Sequence, residues 1–177
     1  GDMGVPGMTM HANGIQQCID KVAKAIDFSR KEEPSSPDRL RGKGIAIMWK
    51  APAMPPNPGS SAWVELSEDG KATVGLGGQE IGQGTFTVMA QIAAESLGVK
   101  YEDVRIAGPV DTQYSPYEWQ TVASRLTWSM GNAVRLAALD ARKQILDVVA
   151  EAWHETPEDL DIVNGMVVSY KSEQETP

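Results

Sequence analysis

The sequence predicts an α+β domain in which antiparallel hairpins and a mixed sheet pack with two long helices. Three observations carry this. Two short alternating runs fold back at Asp69-Gly70 and at Asn164-Gly165, dipeptides that tight hairpin turns favour. Two longer stretches, 85–98 and 122–153, repeat apolar residues at the three- and four-residue spacing of a helix. Strands and helices do not alternate in the regular βαβ units of a doubly wound parallel sheet.

Three segments are expected along the chain: an N-terminal segment and helix over 1–31, a linker with a strand and a proline-rich loop over 32–60, and a core over 61–177. Ile15, Cys18, Ile19, Val22, Ala25 and Ile26 lie at helical spacing in 14–31, with Asn13 as N-cap, so one face is expected to be buried. Cys18 lies on that face and reads as a small core residue. The Pro, Ser and charge content of 32–44 reads as a surface linker, "GIAIMWK" (44–50) as a strand, and "APAMPPNPG" (51–59) as loop, since four prolines supply no ladder donors. Met3, Met8, Met10 and Met54 lie in loop-like stretches.

In the core segment, Ala62, Val64 and Leu66 alternate with Trp63 and Glu65, and Asp69-Gly70 turns the chain into a second strand over 71–76. Val88, Met89, Ile92, Ala93 and Leu97 make a helix, which Gly98 stops. A short strand follows at 102–108, and then a polar loop to Ser124. A long helix is expected from about Val122 to Trp153, on Leu126, Met130, Ala133, Val134, Ala137, Ala141, Ile145, Val148 and Val149. Thr156 and Pro157 suit a helix start, and "DIVNGMVVS" is the closing hairpin.

Composition narrows function. Twenty-four acids against sixteen bases give a net charge of −8, which disfavours a sequence-independent grip on nucleic-acid phosphates. One cysteine excludes an internal disulfide and a thiolate zinc site, and suits a reducing compartment, with the cytoplasm as the default. No apolar run is long enough to cross a membrane. His11 and His154 are isolated and make no metal site. The opening Gly1-Asp2-Met3-Gly4 and the polar ending "KSEQETP" read as a piece excised from a longer chain, with the first glycine a protease scar.

"GLGGQEIGQGTFTV" (75–88) puts five glycines ahead of a helix. It is not a Walker loop, because Gln83 stands where the lysine belongs, and not a dinucleotide fingerprint, because Glu80 stands where the last glycine belongs. Unpaired N–H groups and the positive end of a helix dipole suit an anion above such a loop. Gly82 and Gly84 would let a ligand approach the backbone while Gln83 offers its amide, with Thr85 and Thr87 adding hydroxyls. A plain tight turn, its glycines supplying positive φ, explains the same pattern. A second polar cluster has Thr121, Ser124 and Arg125 at a helix start, and Gly131 and Asn132 two turns on. Ordinary capping and close helix packing at Gly131 explain that cluster equally. Glu80 is weighed as a general base against a carboxylate that bonds loop amides, and Asp111 and Glu118 read as turn and surface residues.

"GGQEIGQGTFTVMAQIAAESLGV", "DTQYSPYEWQTVASR" and "GNAV" resemble the molybdenum-cofactor domain of the xanthine dehydrogenase and aldehyde oxidase family. The likeness extends from "GIQQCIDKVAKAI" through "GKGIAI" to the end of the long helix, most of the chain. It implies a molybdopterin, in bacteria often the cytosine dinucleotide form, with the molybdenum held by the pterin dithiolene and no metal ligand from this chain. By resemblance, Gln83 within Gly82-Gln83-Gly84 faces the molybdenum end with Thr85 beside it, and the Ala123 backbone approaches the metal. Thr121, Ser124 and Arg125 then lie along the pterin or phosphate portion, with Gly131 and Asn132 nearby.

The resemblance also implies a parent enzyme that hydroxylates a small-molecule substrate, an aldehyde or N-heterocycle, with water as oxygen source. Its partners would be the rest of the large subunit and the [2Fe-2S] and FAD domains or subunits, since one cysteine holds no cluster. The family's Gly-Val-Gly-Glu string, which carries the catalytic glutamate, is absent, as are its Gly-Phe-Gly-Gly loop and its arginine-bearing substrate loop. This segment is therefore expected to contain no catalytic residue and to be inactive alone. The alternatives are a noncatalytic phosphate- or nucleotide-binding module and a structural assembly domain.

Overall fold

The computed structural model of the chain describes residues 3–5, 8–9, 14–48 and 58–177. Two compact units divide it, 1–53 and 54–177. Asn13, His11, Met10, Met54, residues 49–50 of the expected strand and 51–57 of the proline-rich loop lie outside the described residues.

In the first unit, β1 (Met3–Val5) and β2 (Met8–Thr9) pair antiparallel where loop was expected. Helix α1 (Ile15–Ala25) stops six residues short of Lys31, and Asp27 follows with a φ of 48°. The turn after it is stapled by Lys43, whose Nζ pairs with Glu32 at 2.9 Å and donates to the Asp27 carbonyl at 2.8 Å. Two expectations fail here. No residue of α1 is buried, and Cys18 is exposed, because an apolar stripe states which face prefers burial and not what covers it. Residues 44–48 form no strand, and Ile47 and Met48 are exposed; a short apolar run identifies a strand only where a neighbour completes the ladder.

The second unit holds the site. Strands β3 (Ala62–Leu66) and β4 (Ala72–Leu76) pair antiparallel, Ala62 opposite Leu76 and Leu66 opposite Ala72. Gly75 faces Trp63 across the ladder, and a Cβ there would collide with the indole. Helix α2 (Thr85–Leu97) then carries the chain over to β5 (Val104–Ile106), which lies parallel to β4 with Ala72 opposite Val104. The sheet is thus mixed, with one βαβ crossover beside the hairpin.

Helix α3 (Leu126–Trp153) spans 28 residues, about 42 Å at 1.5 Å per residue. Its first half sends Leu126, Met130, Val134 and Ala138, each four residues on, into a core with Met89, Ala93 and Leu97 of α2 and Val74 and Leu76 of β4. Gly131 lets α2 approach, since a Cβ there would meet Ile92 Cδ1 at 2.9 Å. The second half contributes Ala150, with Ile145, Val149 and Trp153 against it, to a smaller core with Leu160, Ile162 and Val167.

Those last residues belong to a second sheet of β6 (Leu160–Val163), β7 (Met166–Ser169) and β8 (Glu175–Thr176). Asn164 and Gly165, with φ of 52° and 83°, make the expected turn between β6 and β7. Thr156 and Pro157 open only a 3-10 turn, Pro157–Asp159.

The long helix starts four residues later than expected. Ala123 and Ser124 have φ of 52° and 55°, left-handed backbone that a right-handed helix cannot contain, so Thr121 to Ser124 are a loop and not a first turn.

Candidate cofactor site

Two loops far apart in sequence meet in the second unit. The glycine loop leaves β4 and enters α2; the second loop leads into α3. Thr121 ties them, its hydroxyl accepting the Gln79 N–H at 2.8 Å. Between them lies a cleft of about 430 Å³ lined by Ile81, Gln83, Thr85 and residues 121–127. That size suits a small-molecule or cofactor site. No carboxylate is among its lining residues, although the chain carries a net charge of −8.

The glycines divide by role. A Cβ at Gly77 would strike the Pro116 carbonyl oxygen, so this glycine serves packing between the two loops. Gly82 and Gly84 have φ of 102° and 81°, and nothing lies within 4 Å of a Cβ built on either. Their backbone is curved and open on the outside.

The dipole of α2 is already answered from within. Glu80 Oε1 accepts the N–H groups of Gly82 at 2.7 Å and Gly84 at 3.0 Å, and Oε2 accepts that of Phe86 at 3.2 Å. Burial raises the pKa of this carboxyl, but amide hydrogen bonds from Gly84, Phe86, Gly82 and Thr85 outweigh it and hold the group below its ordinary value. That direction is wrong for a general base, and it gives the α2 start an internal anion in place of an external one.

Gln83 folds back onto its own loop. Its Oε1 accepts the Ile81 N–H at 2.8 Å, while Nε2 donates to the Gln79 carbonyl at 3.0 Å and to Thr85 Oγ1 at 2.6 Å. Both amide hydrogens are therefore engaged, and Thr85 is buried beneath them.

Helix α3 presents the opposite case. Its N-cap is Arg125, and no side chain of that residue caps the end. The guanidinium turns into the protein: Nη1 pairs with Glu118 and donates to the Gln120 carbonyl, and Nη2 donates to the Pro58 and Gly59 carbonyls and to Ser60 and Ser129. The Arg125 and Glu118 side chains are 2% and 3% exposed, and Trp119 lies 5.8 Å from the guanidinium carbon. Glu118 is thus no surface residue; a loop rich in polar residues conceals from sequence reading which carboxylate faces inward. Among the described residues, Arg125 Nε and Glu118 Oε2 are buried without a hydrogen-bond partner.

Of the residues singled out from sequence, the fold brings Gln83, Thr85, Thr121, Ala123, Ser124 and Arg125 to one cleft, with Gly82 and Gly84 in the arc beside it. Gly131 and Asn132 are elsewhere. Gly131 is buried in the α2–α3 contact, and exposed Asn132 donates to the Trp128 carbonyl at 2.6 Å. Sequence reading missed Ile81 and Thr127 and took Val122 and Leu126 for helix alone; Ile81 is exposed inside a glycine loop, where periodicity carries no signal. Among the described residues no group of three or more His, Cys, Asp or Glu could hold a metal ion, and no helix is long and apolar enough to cross a membrane.

Comparison with known proteins identifies the family. Residues 21–176 match the family model of the molybdopterin cofactor-binding domain. A putative xanthine dehydrogenase molybdenum-binding subunit from Escherichia coli (strain K12) is 28% identical over 174 residues, 96% of this chain and 23% of that protein. The gamma subunit of the 6-hydroxypseudooxynicotine dehydrogenase complex of Paenarthrobacter nicotinovorans is 37% identical over 151 residues, 83% of this chain and 19% of that one. Among solved structures, quinoline 2-oxidoreductase from Pseudomonas putida 86 superposes with a TM-score of 0.62 at 30% identity, over 70% of this chain and 16% of that one. The chain thus spans about a quarter or less of these relatives. They do not support the alternatives, a noncatalytic phosphate- or nucleotide-binding module and a structural assembly domain. With a match over most of its length and a fold shared with these enzymes, the chain belongs to the molybdopterin cofactor-binding domain family.

Proposed function

We propose that the cleft between the glycine arc and residues 121–127 is this chain's share of the molybdopterin seat in a molybdenum hydroxylase. The observation that carries the reading is the convergence of two loops, some forty residues apart, on one cleft that sets Gln83, Thr85, Thr121, Ser124 and Thr127 among apolar neighbours, with no carboxylate among its described lining residues. The residues fit an anionic cofactor. Gly82 and Gly84 offer backbone with open space outside it, Ala123 and Ser124 are held in left-handed backbone, and the α3 start lacks a side-chain cap.

In this reading Gln83 and Ala123 lie at the molybdenum end, and Thr121 and Ser124 along the pterin and phosphate portion. Arg125 acts mainly through its own backbone and by fixing the loop. Gln83 must release one of its two present acceptors to donate to a ligand. Exchanging the Thr85 bond for a ligand bond keeps the count at Gln83 but takes a donor from the buried Thr85 hydroxyl, a cost the ligand bond has to offset. Gly131 and Asn132 stand outside the seat.

When bound, the cofactor supplies the oxidation of a C–H bond with water as the source of the inserted oxygen. The chain's own residues bind and orient it. The substrate class is an aldehyde or N-heterocycle, and electrons leave through [2Fe-2S] and FAD groups on other domains or subunits. No residue here serves as the base: Glu80 is committed to loop amides, and no Gly-Val-Gly-Glu string occurs. Isolated, the chain does not turn over. The cytosine dinucleotide form of the cofactor and a cytoplasmic site, where the lone cysteine stays reduced, complete the proposal.

Metal and pterin analysis of the full-length parent tests it. Molybdenum near one per chain is expected, and Gln83→Ala and Thr121→Val should each lower retained pterin more than they lower expression. A cofactor-replete host that yields metal-free parent protein would remove the reading.

A further inference from the structure

The Gly82-Gln83-Gly84 arc is restrained by the Gln83 side chain itself and by Glu80, which lies outside the cleft lining and bonds the backbone on both sides of Gln83. Neither glycine is held by packing, since nothing lies within 4 Å of a Cβ at either. Two such glycines around Gln83 leave its backbone free to swing unless something fixes it. Glu80 supplies three charge-assisted hydrogen bonds there, one to the residue before Gln83, one to the residue after it, and one to Phe86. Helix capping accounts for the Gly84 and Phe86 bonds. It does not account for Gly82, whose N–H precedes α2 by three residues and adds nothing to the helix. The shortest of the three bonds therefore serves the arc itself.

We propose that Glu80 is a positioning residue that clamps the backbone on both sides of Gln83 and so presets that side chain for contact with the cofactor. It touches no ligand and acts only through the loop. The inference rests on the reading that Gln83 contacts the pterin's molybdenum end, and its failure is separable from the failure of that reading.

The experiment uses the full-length parent carrying Glu80→Ala, Glu80→Gln or Gln83→Ala. Residue-resolved amide hydrogen exchange is measured on protein prepared with and without cofactor, and retained pterin is measured by fluorescence after oxidation. In Glu80→Ala, exchange at Gly82 and Gly84 should rise by about tenfold or more while the last two turns of α2 stay protected, as local opening requires. Retained pterin should fall as it does in Gln83→Ala. Glu80→Gln keeps an acceptor oxygen for the two glycine amides and should recover part of both readouts; if Glu80→Ala does not fold, this variant is compared with the wild type alone. Unchanged exchange at the two glycines overturns the proposal whatever the site is. Freed amides with wild-type pterin, when Gln83→Ala loses pterin, reduce Glu80 to a helix cap and leave the site standing. Wild-type pterin in Gln83→Ala removes the site reading and the proposal with it.

Discussion

At the scale of single residues, the site depends on which polar groups are already satisfied. Arg125 is an example of a residue whose chemistry is legible in sequence and whose engagement is not. An arginine near a phosphate-seeking loop suggests a phosphate partner, yet here its Nη atoms pair with Glu118 and hold five loop and side-chain oxygens. Removing the carboxylate strands a buried cation, so Glu118→Ala should cost about 3–5 kcal/mol in urea unfolding. Glu118→Leu combined with Arg125→Met should recover only part, because the Pro58, Gly59 and Gln120 carbonyls lose their donor as well. A double variant no less stable than wild type would show that these carbonyl contacts contribute nothing. Gln83 and Glu80 teach the same lesson from the other loop. Their types and spacing marked a site, but only the fold shows that Glu80 takes the α2 amides and that Gln83 donates inward.

At the scale of elements, the sequence announced both hairpins and both long helices, because turn dipeptides and apolar period are local properties. It misplaced the start of α3, since left-handed Ala123 and Ser124 are imposed by the surrounding loop and no local propensity favours them. It left the parallel pairing of β5 on β4 unread, because pairing partners are set by packing across α2. Two junctions give predictions. Gly98 ends α2 at a φ of 84°, and a Cβ there would overlap the Ile162 carbonyl oxygen, so Gly98→Ala should destabilise by at least about 2 kcal/mol. Gly131 differs: the obstacle is the flexible tip of Ile92, and alanine is worth up to about 1 kcal/mol in a helix interior, so Gly131→Ala should be near neutral and retain full pterin. Pterin loss in that variant would return Gly131 to the seat.

The second junction ties β6 to α3 through Asp161, which pairs with Arg142 and accepts the Tyr170 hydroxyl at 2.9 Å and the Ile162 N–H at 2.6 Å. Burial raises the pKa of this carboxyl, but the Tyr170 and Ile162 hydrogen bonds and the Arg142 charge outweigh it, and the folded pKa is lowered. A lowered folded pKa means stability that is complete above the unfolded value of about 3.9 and is lost as pH falls through the folded one. The stability gap between wild type and Asp161→Asn should therefore be full at pH 6 and shrink as pH falls below the unfolded value of about 3.9. A gap that persists at low pH would assign the effect to packing.

At the scale of the whole molecule, α3 belongs to two cores at once. Ala141 still packs with the first, and Ile145, one turn later, packs with the second. The helix therefore carries a phase as well as a length. One residue added between those two positions would rotate everything downstream by about 100°, turning Ile145, Val149 and Trp153 off the second sheet. Seven added residues would return the face to within about 20° but push the second sheet some 10 Å along the axis. Family members of very different loop length should therefore share a fixed count of residues across this one turn.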